Sequence, residues 1–77
     1  MKIRFMDATN GTECISVAKV SYFSRMPNGC LVFKVLGSDV KLTSYIGVSD
    51  DSYLAYMQKL WDDENLDLSN LMFSEDR

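Results

Sequence analysis

Hydrophobic and polar residues alternate with the period of a β-strand through the first 46 positions. Ile3 and Phe5 alternate with Lys2, Arg4 and Met6, and the dipeptide Asn10-Gly11 then supplies the positive φ angles of a hairpin turn. Further strand-like runs follow at residues 14–25, 30–36 and 40–46, with turn sequences at 27–29 and 37–39 between them. The pattern predicts four strands within residues 1–46, joined as an antiparallel meander.

The length of each turn decides which side chains face the core, because a slip of one residue turns every side chain over. Either a two-residue turn at Asn28-Gly29 or a four-residue loop from Met26 to Gly29 gathers the apolar residues on one face of the sheet. That predicted inner face consists of Val20, Tyr22, Leu31, Phe33, Val35, Val40 and Leu42, with Ile46 further along. Ile15 and Val17 have the opposite parity to Val20, so we expect a β-bulge near Ala18-Lys19.

After residue 48 the period changes to that of an α-helix. Ser49 is a favourable N-cap, and Asp50 and Asp51 place negative charge at the positive end of the helix dipole. Apolar residues then recur at helical spacing, at positions 53, 54, 57, 60 and 61. The sequence predicts one amphipathic helix over about residues 50–61, packed on one face of the sheet.

The last part of the chain, residues 62–77, is acidic, and its apolar residues alternate with polar ones: Leu66, Leu68, Leu71, Met72 and Phe73 with Asp67, Ser69 and Asn70. We expect it to form a short second helix or a docked tail. The fold class is therefore α+β, as a single domain over residues 1–77. A meander followed by one helix is common in small bacterial and phage accessory proteins, which is an analogy of fold and not of function.

Charge divides the chain into two halves. Residues 1–48 contain six basic and three acidic side chains, a formal charge of +3, whereas residues 49–77 contain two basic and eight acidic side chains, a formal charge of −6. The net charge of −3 is thus the difference between a basic and an acidic half. Such asymmetry bears on partners and association.

Several classes of chemistry lack the residues they need. The chain has no histidine and two cysteines without C-x-x-C spacing, Cys14 and Cys30. This excludes the usual zinc sites and the histidine-based nucleophile pairs. The adjacent aspartates at 50–51 and 62–63 point about 100° apart on a helix and do not converge. We expect a non-enzymatic protein without cofactor or metal, and with no membrane span it is expected to be cytoplasmic, with its thiols reduced.

The leading functional hypothesis is a protein-interaction or inhibitor module that binds its partner through the acidic half. Its expected contact residues are Trp61, Asp62, Asp63, Glu64 and Asp67. Carboxylates would steer a basic partner and the apolar side chains would anchor it. The simpler alternative is an acidic, solvated rim on an element whose leucines complete the core.

A second hypothesis concerns the sheet face opposite the helix. Period 2 places Phe23, Arg25, Lys34, Lys41 and Tyr45 on that face, where cations and rings would form a platform for single-stranded nucleic acid. The alternative is that these residues only solvate the open side of a one-layer sheet. A third hypothesis is a homodimer in which the basic sheet of one copy meets the acidic end of another.

Overall fold

The fold is a five-stranded barrel with one helix, as described by a computed structural model for residues 2–75. The elements in chain order are β1 (Lys2–Asp7), β2 (Cys14–Arg25), β3 (Cys30–Val35), β4 (Lys41–Gly47), α1 (Asp50–Trp61) and β5 (Leu66–Glu75). A short 3₁₀ turn at Thr9–Gly11 lies between β1 and β2. The α+β class and the antiparallel-rich sheet are thereby confirmed.

The strands close in the order β1-β2-β3-β4-β5, and β5 pairs back onto β1. Neighbouring strands are antiparallel except β1 and β5, which are parallel. An odd number of strands that alternate in direction leaves the first and last pointing the same way, so closure requires one parallel pair. The predicted four-stranded meander therefore lacked one strand, β5, and the sheet is a closed barrel instead of an open sheet.

The core fills the interior of this barrel. Phe5, Phe33 and Phe73 meet edge to face, with ring centroids 4.9, 5.0 and 5.9 Å apart. Edge contacts of this kind add to the free energy gained by burying the rings. The remaining buried members of this cluster are Ile3, Leu31, Leu42, Leu66, Leu68 and Leu71.

Helix α1 begins and ends where the sequence predicts. The Ser49 hydroxyl accepts a hydrogen bond from the backbone N–H of Ser52 at 3.2 Å, which confirms the N-cap. Tyr53, Tyr56 and Leu60 lie on one side of the helix and pack against the barrel core. The helix thus covers the apolar interior where the barrel alone would leave it open.

The register of β2 differs from the prediction. Val20 pairs with Val35, but Tyr22 pairs with Lys34, so Ser21 is an extra residue and the bulge lies there and not near Ala18-Lys19. Side chains switch parity at this point. Phe23 therefore faces the core beside Phe33, whereas Tyr22 points outward and is 44% exposed.

The register of β4 also shifts. Cys30 pairs with Gly47 and Val32 with Thr43, so β4 holds two more residues than β3 over this stretch. The buried Ser44 hydroxyl stabilises the bend, because it accepts from the Leu31 N–H at 2.8 Å and donates to the Ile46 carbonyl at 2.7 Å. Ile46 and Val40, both predicted to face inward, are exposed instead.

Residues 66–75 form strand β5, which corrects the prediction of a second helix or tail. Leu66 and Leu68 face the core before an irregularity, and Leu71 and Phe73 face it afterwards. The three residues 69–71 have no partners on β1 at this point, since Phe5 pairs with Leu68 and Met6 with Met72. The bulge changes the parity of the strand, so strict alternation is lost in its sequence.

Candidate functional site

The exposed side of α1 carries two large apolar residues. Trp61, the last residue of the helix, is 73% exposed, more than any other large hydrophobic side chain among residues 2–75. Leu54 is 63% exposed and lies seven residues earlier, hence on the same side of the helix. We call Leu54 and Trp61 the apolar helix edge.

Three consecutive carboxylates, Asp62, Asp63 and Glu64, follow Trp61 and form a tight turn that we call the acidic turn. The backbone N–H of Asp62 donates to the Gln58 carbonyl at 3.1 Å, and that of Glu64 donates to the Lys59 carbonyl at 2.9 Å. Asp63 has φ of 58°, a left-handed conformation that glycine adopts more easily. All three residues are exposed at the negative end of the helix dipole, where carboxylates are electrostatically unfavourable.

Asp67 is held on the barrel and differs in this respect from the acidic turn. Its carboxylate accepts a hydrogen bond from the Ser69 N–H at 2.9 Å and forms an ion pair with Arg4 at 3.2 Å. Hydrogen bonds from the Ser69 hydroxyl and N–H, and the charge of Arg4, hold the pKa of Asp67 below its usual value of 3.8. The structure thus groups four of the five predicted partner-binding residues at the end of α1, while Asp67 makes its own contacts within the sheet.

Phe23 and Arg25 do not lie on an open sheet face as predicted. Phe23 stacks on Tyr53 of α1, with centroids 6.1 Å apart. Arg25 lies over the same ring at 5.1 Å, donates to the Val48 carbonyl at 3.3 Å and forms an ion pair with Asp50. Because β2 changes parity at Ser21, both side chains meet the helix instead of solvent.

Replacing Arg25 with alanine is expected to lower the free energy of unfolding by about 1–2 kcal/mol, since stacking and hydrogen bonding of a half-buried guanidinium are lost. Urea unfolding measures this. Arg4→Ala is the control, because the Arg4–Asp67 pair is exposed to solvent and should contribute less to stability. An equal decrease in the free energy of unfolding in the two variants would show that the contacts of Arg25 do not stabilise the packing of α1 on the barrel.

The other three predicted nucleic-acid residues remain on the outer surface of the barrel. Lys34 of β3 pairs directly with Lys41 of β4, and Tyr22 of β2 pairs with Lys34 from the other side. Tyr45 lies further along β4 and is 54% exposed. We call the outer surface formed by Tyr22, Lys34, Lys41 and Tyr45 the lysine face.

Sequence reasoning missed Tyr22, which it assigned to the core. The Nζ atom of Lys34 lies 5.7 Å from the centre of the Tyr22 ring, and the ring borders a groove of about 250 Å³. Tyr22 therefore belongs to the lysine face. Ser24, Val32 and Lys41 also line this groove. The only signal in the sequence was the conflict of parities within β2. That conflict indicates a bulge, but it does not locate the bulge at Ser21.

Within residues 2–75 no three potential metal ligands cluster together. Both cysteines are free thiols, with Cys14 exposed and Cys30 half-buried. The one helix of this part of the chain is too short and too polar to cross a membrane. No protein family, no curated protein and no solved structure matches this chain.

Proposed function

We propose that this protein is a small non-catalytic interaction module, of the inhibitor or accessory type, which binds a partner protein in the cytoplasm through the end of α1. Trp61 is the anchor and the acidic turn supplies the charge. The observation that carries the proposal is the 73% exposure of Trp61 beside three exposed carboxylates.

The exposure of Trp61 is informative because the barrel has an apolar interior in which other aromatic rings are buried. Phe5, Phe33 and Phe73 are each at most 2% exposed. Tryptophan is the residue type most enriched at the energetic centres of protein interfaces. With Leu54 on the same side of the helix, the apolar helix edge offers a partner two anchors at a spacing of two turns.

The acidic turn defines the chemistry of the partner. Carboxylates at the negative end of a helix dipole repel one another and the dipole, and a cationic surface relieves this repulsion. The complementary partner is a protein with an apolar pocket for the indole ring and a rim of lysine or arginine. Charges at such a rim act mainly on the association rate and its salt dependence.

Trp61→Ala is expected to lower the affinity for this partner by about 30-fold or more, because truncation of a central aromatic anchor typically costs at least about 2 kcal/mol. Partners are captured from a lysate of the native host with the tagged protein, identified by mass spectrometry and then titrated individually. Tyr45→Ala is the matched control, since it removes an exposed ring from a different surface. A partner whose affinity is the same for wild type and Trp61→Ala would contradict the proposal.

The triple variant Asp62→Asn, Asp63→Asn, Glu64→Gln tests the charge separately. The association rate should fall and its dependence on salt should weaken, while the dissociation rate changes little. Stopped-flow measurements at two ionic strengths separate these effects. An unchanged salt dependence would show that the acidic turn does not face the partner.

A further inference from the structure

We propose that the lysine face binds a short stretch of single-stranded nucleic acid, independently of the partner site on α1. The observation behind this is the placement of Lys34 directly opposite Lys41 on neighbouring strands. Like charges at directly opposed positions destabilise a sheet. Among residues 2–75 neither lysine forms an ion pair, although the chain contains more acidic than basic residues. An anionic ligand would relieve this repulsion.

Two aromatic rings identify the kind of anion. Tyr22 and Tyr45 are 44% and 54% exposed, and they lie on β2 and β4 on either side of β3. Two strand spacings, roughly 10 Å, separate the backbones of β2 and β4. The rings are therefore far enough apart to stack on separate bases, while the lysines in the row of Tyr22 meet the phosphates.

Uncharged residues form the row next to the lysines. Ser24, Val32 and Thr43 form a cross-strand row next to the row of Tyr22, Lys34 and Lys41. Among residues 2–75 no carboxylate lies in either row. The groove of about 250 Å³ beside Tyr22 gives a ligand a recess between Ser24 and Lys41. Rings, cations and small polar groups without acidic residues are the composition that single-strand binding surfaces use.

The barrel also provides a matched comparison. Lys2 of β1 pairs directly with Lys19 of β2, which is a second pair of opposed lysines. The next cross-strand pair on the same face is Arg4 opposite Val17. Neither of these two pairs contains an aromatic ring. The two pairs of opposed lysines therefore carry equal charge but differ in the stacking groups that a nucleic acid would need.

The test is fluorescence anisotropy of labelled ten-residue oligonucleotides, oligo-dT and oligo-U, titrated with the full chain at 20 to 200 mM salt. Two phosphate contacts predict a slope of log K against log salt of about −1.4 for a single strand. Lys34→Gln with Lys41→Gln should reduce the affinity at least about tenfold at low salt and bring the slope near zero. The control, Lys2→Gln with Lys19→Gln, makes the same change in net charge and should retain most of the affinity and the slope.

The stacking contribution is tested with Tyr22→Ala and Tyr45→Ala, each expected to reduce the affinity by about tenfold. A duplex of the same length should bind more weakly than either single strand, because its bases are not available to the rings. Trp61→Ala should bind oligonucleotides like the wild type. Oligonucleotide binding is thereby tested independently of partner binding at the end of α1. Thermal unfolding of the lysine variants checks the fold, and their melting temperatures should stay the same or rise as repulsion is removed.

Three outcomes would overturn the proposal. The first is no binding of oligo-dT or oligo-U at 20 mM salt, and the second is equal loss of affinity in the two double-lysine variants. The third is a dimer at low salt that dissociates on replacement of Lys34 and Lys41, without oligonucleotide binding. Sedimentation velocity detects this dimer, which would assign the lysine face to the acidic turn of a second copy.

Discussion

Replacing Phe33 with alanine is expected to lower the free energy of unfolding by about 3–5 kcal/mol, the usual range for removing a buried aromatic ring. Phe33 is 0% exposed and contacts both Phe5 and Phe73 edge to face. These rings come from β3, β1 and β5, so the cavity would open where three strands meet. Little stability remains for a domain whose total free energy of unfolding is about 5–15 kcal/mol.

Urea unfolding followed by circular dichroism measures the loss. Tyr45→Ala removes a ring of similar size from the barrel surface and should change the stability by no more than about 0.5–1 kcal/mol. A loss below about 1 kcal/mol in Phe33→Ala would show that the three phenylalanines do not form the centre of the core.

Replacing Leu68 with aspartate is expected to prevent stable folding. Leu68 is 0% exposed and pairs with Phe5 inside the barrel, where an unpaired carboxylate loses its hydration without gaining a partner. The cost is several kcal/mol, comparable with the whole stability of the domain. We expect the variant to show little β-structure by circular dichroism and rapid proteolysis.

Asn70→Asp introduces the same charge two residues later on β5. Asn70 is exposed within the bulge, so this variant should fold and unfold like the wild type, within about 0.5 kcal/mol. The pair of variants distinguishes a barrel strand from a loosely docked tail. If residues 66–75 were only such a tail, both changes would have a small effect.

The elements that depend on local interactions were predictable from the sequence. Helix α1 was predicted at its observed bounds because a capping serine, first-turn aspartates and apolar spacing all act within a few residues. The first four strands were predictable for the same reason, since turn residues separate runs with a period of two. Ile3 and Phe5, which the alternation places on one side of their strand, both face the core.

β5 could not be recognised by its period. Its core positions, Leu66, Leu68, Leu71 and Phe73, have spacings of two, three and two, because a bulge separates two short regular stretches. Local spacing of this kind fits a helix or an irregular tail as well as it fits a strand. Only the pairing of β5 with β1 and β4, which are distant in sequence, determines that it is a strand.

The candidate sites show the same division. Trp61 and the acidic turn are consecutive in the chain, so their proximity follows from the sequence. The lysine face combines residues of three strands, and its composition depends on one extra residue, Ser21, which turns Tyr22 outward and Phe23 inward. A bulge is stabilised by the packing of both its strands, and no property of the single strand determines where it lies.

The sequence by itself therefore determined the strands of the first half, the helix, and the separation of positive from negative charge. The tertiary structure alone decided that the sheet closes, that residues 66–75 complete it, and which rings share a surface with the lysines. The physical reason is the range of the interactions. Capping, turn formation and periodicity act between neighbours in sequence, whereas closure and register depend on packing between strands that lie up to the length of the chain apart.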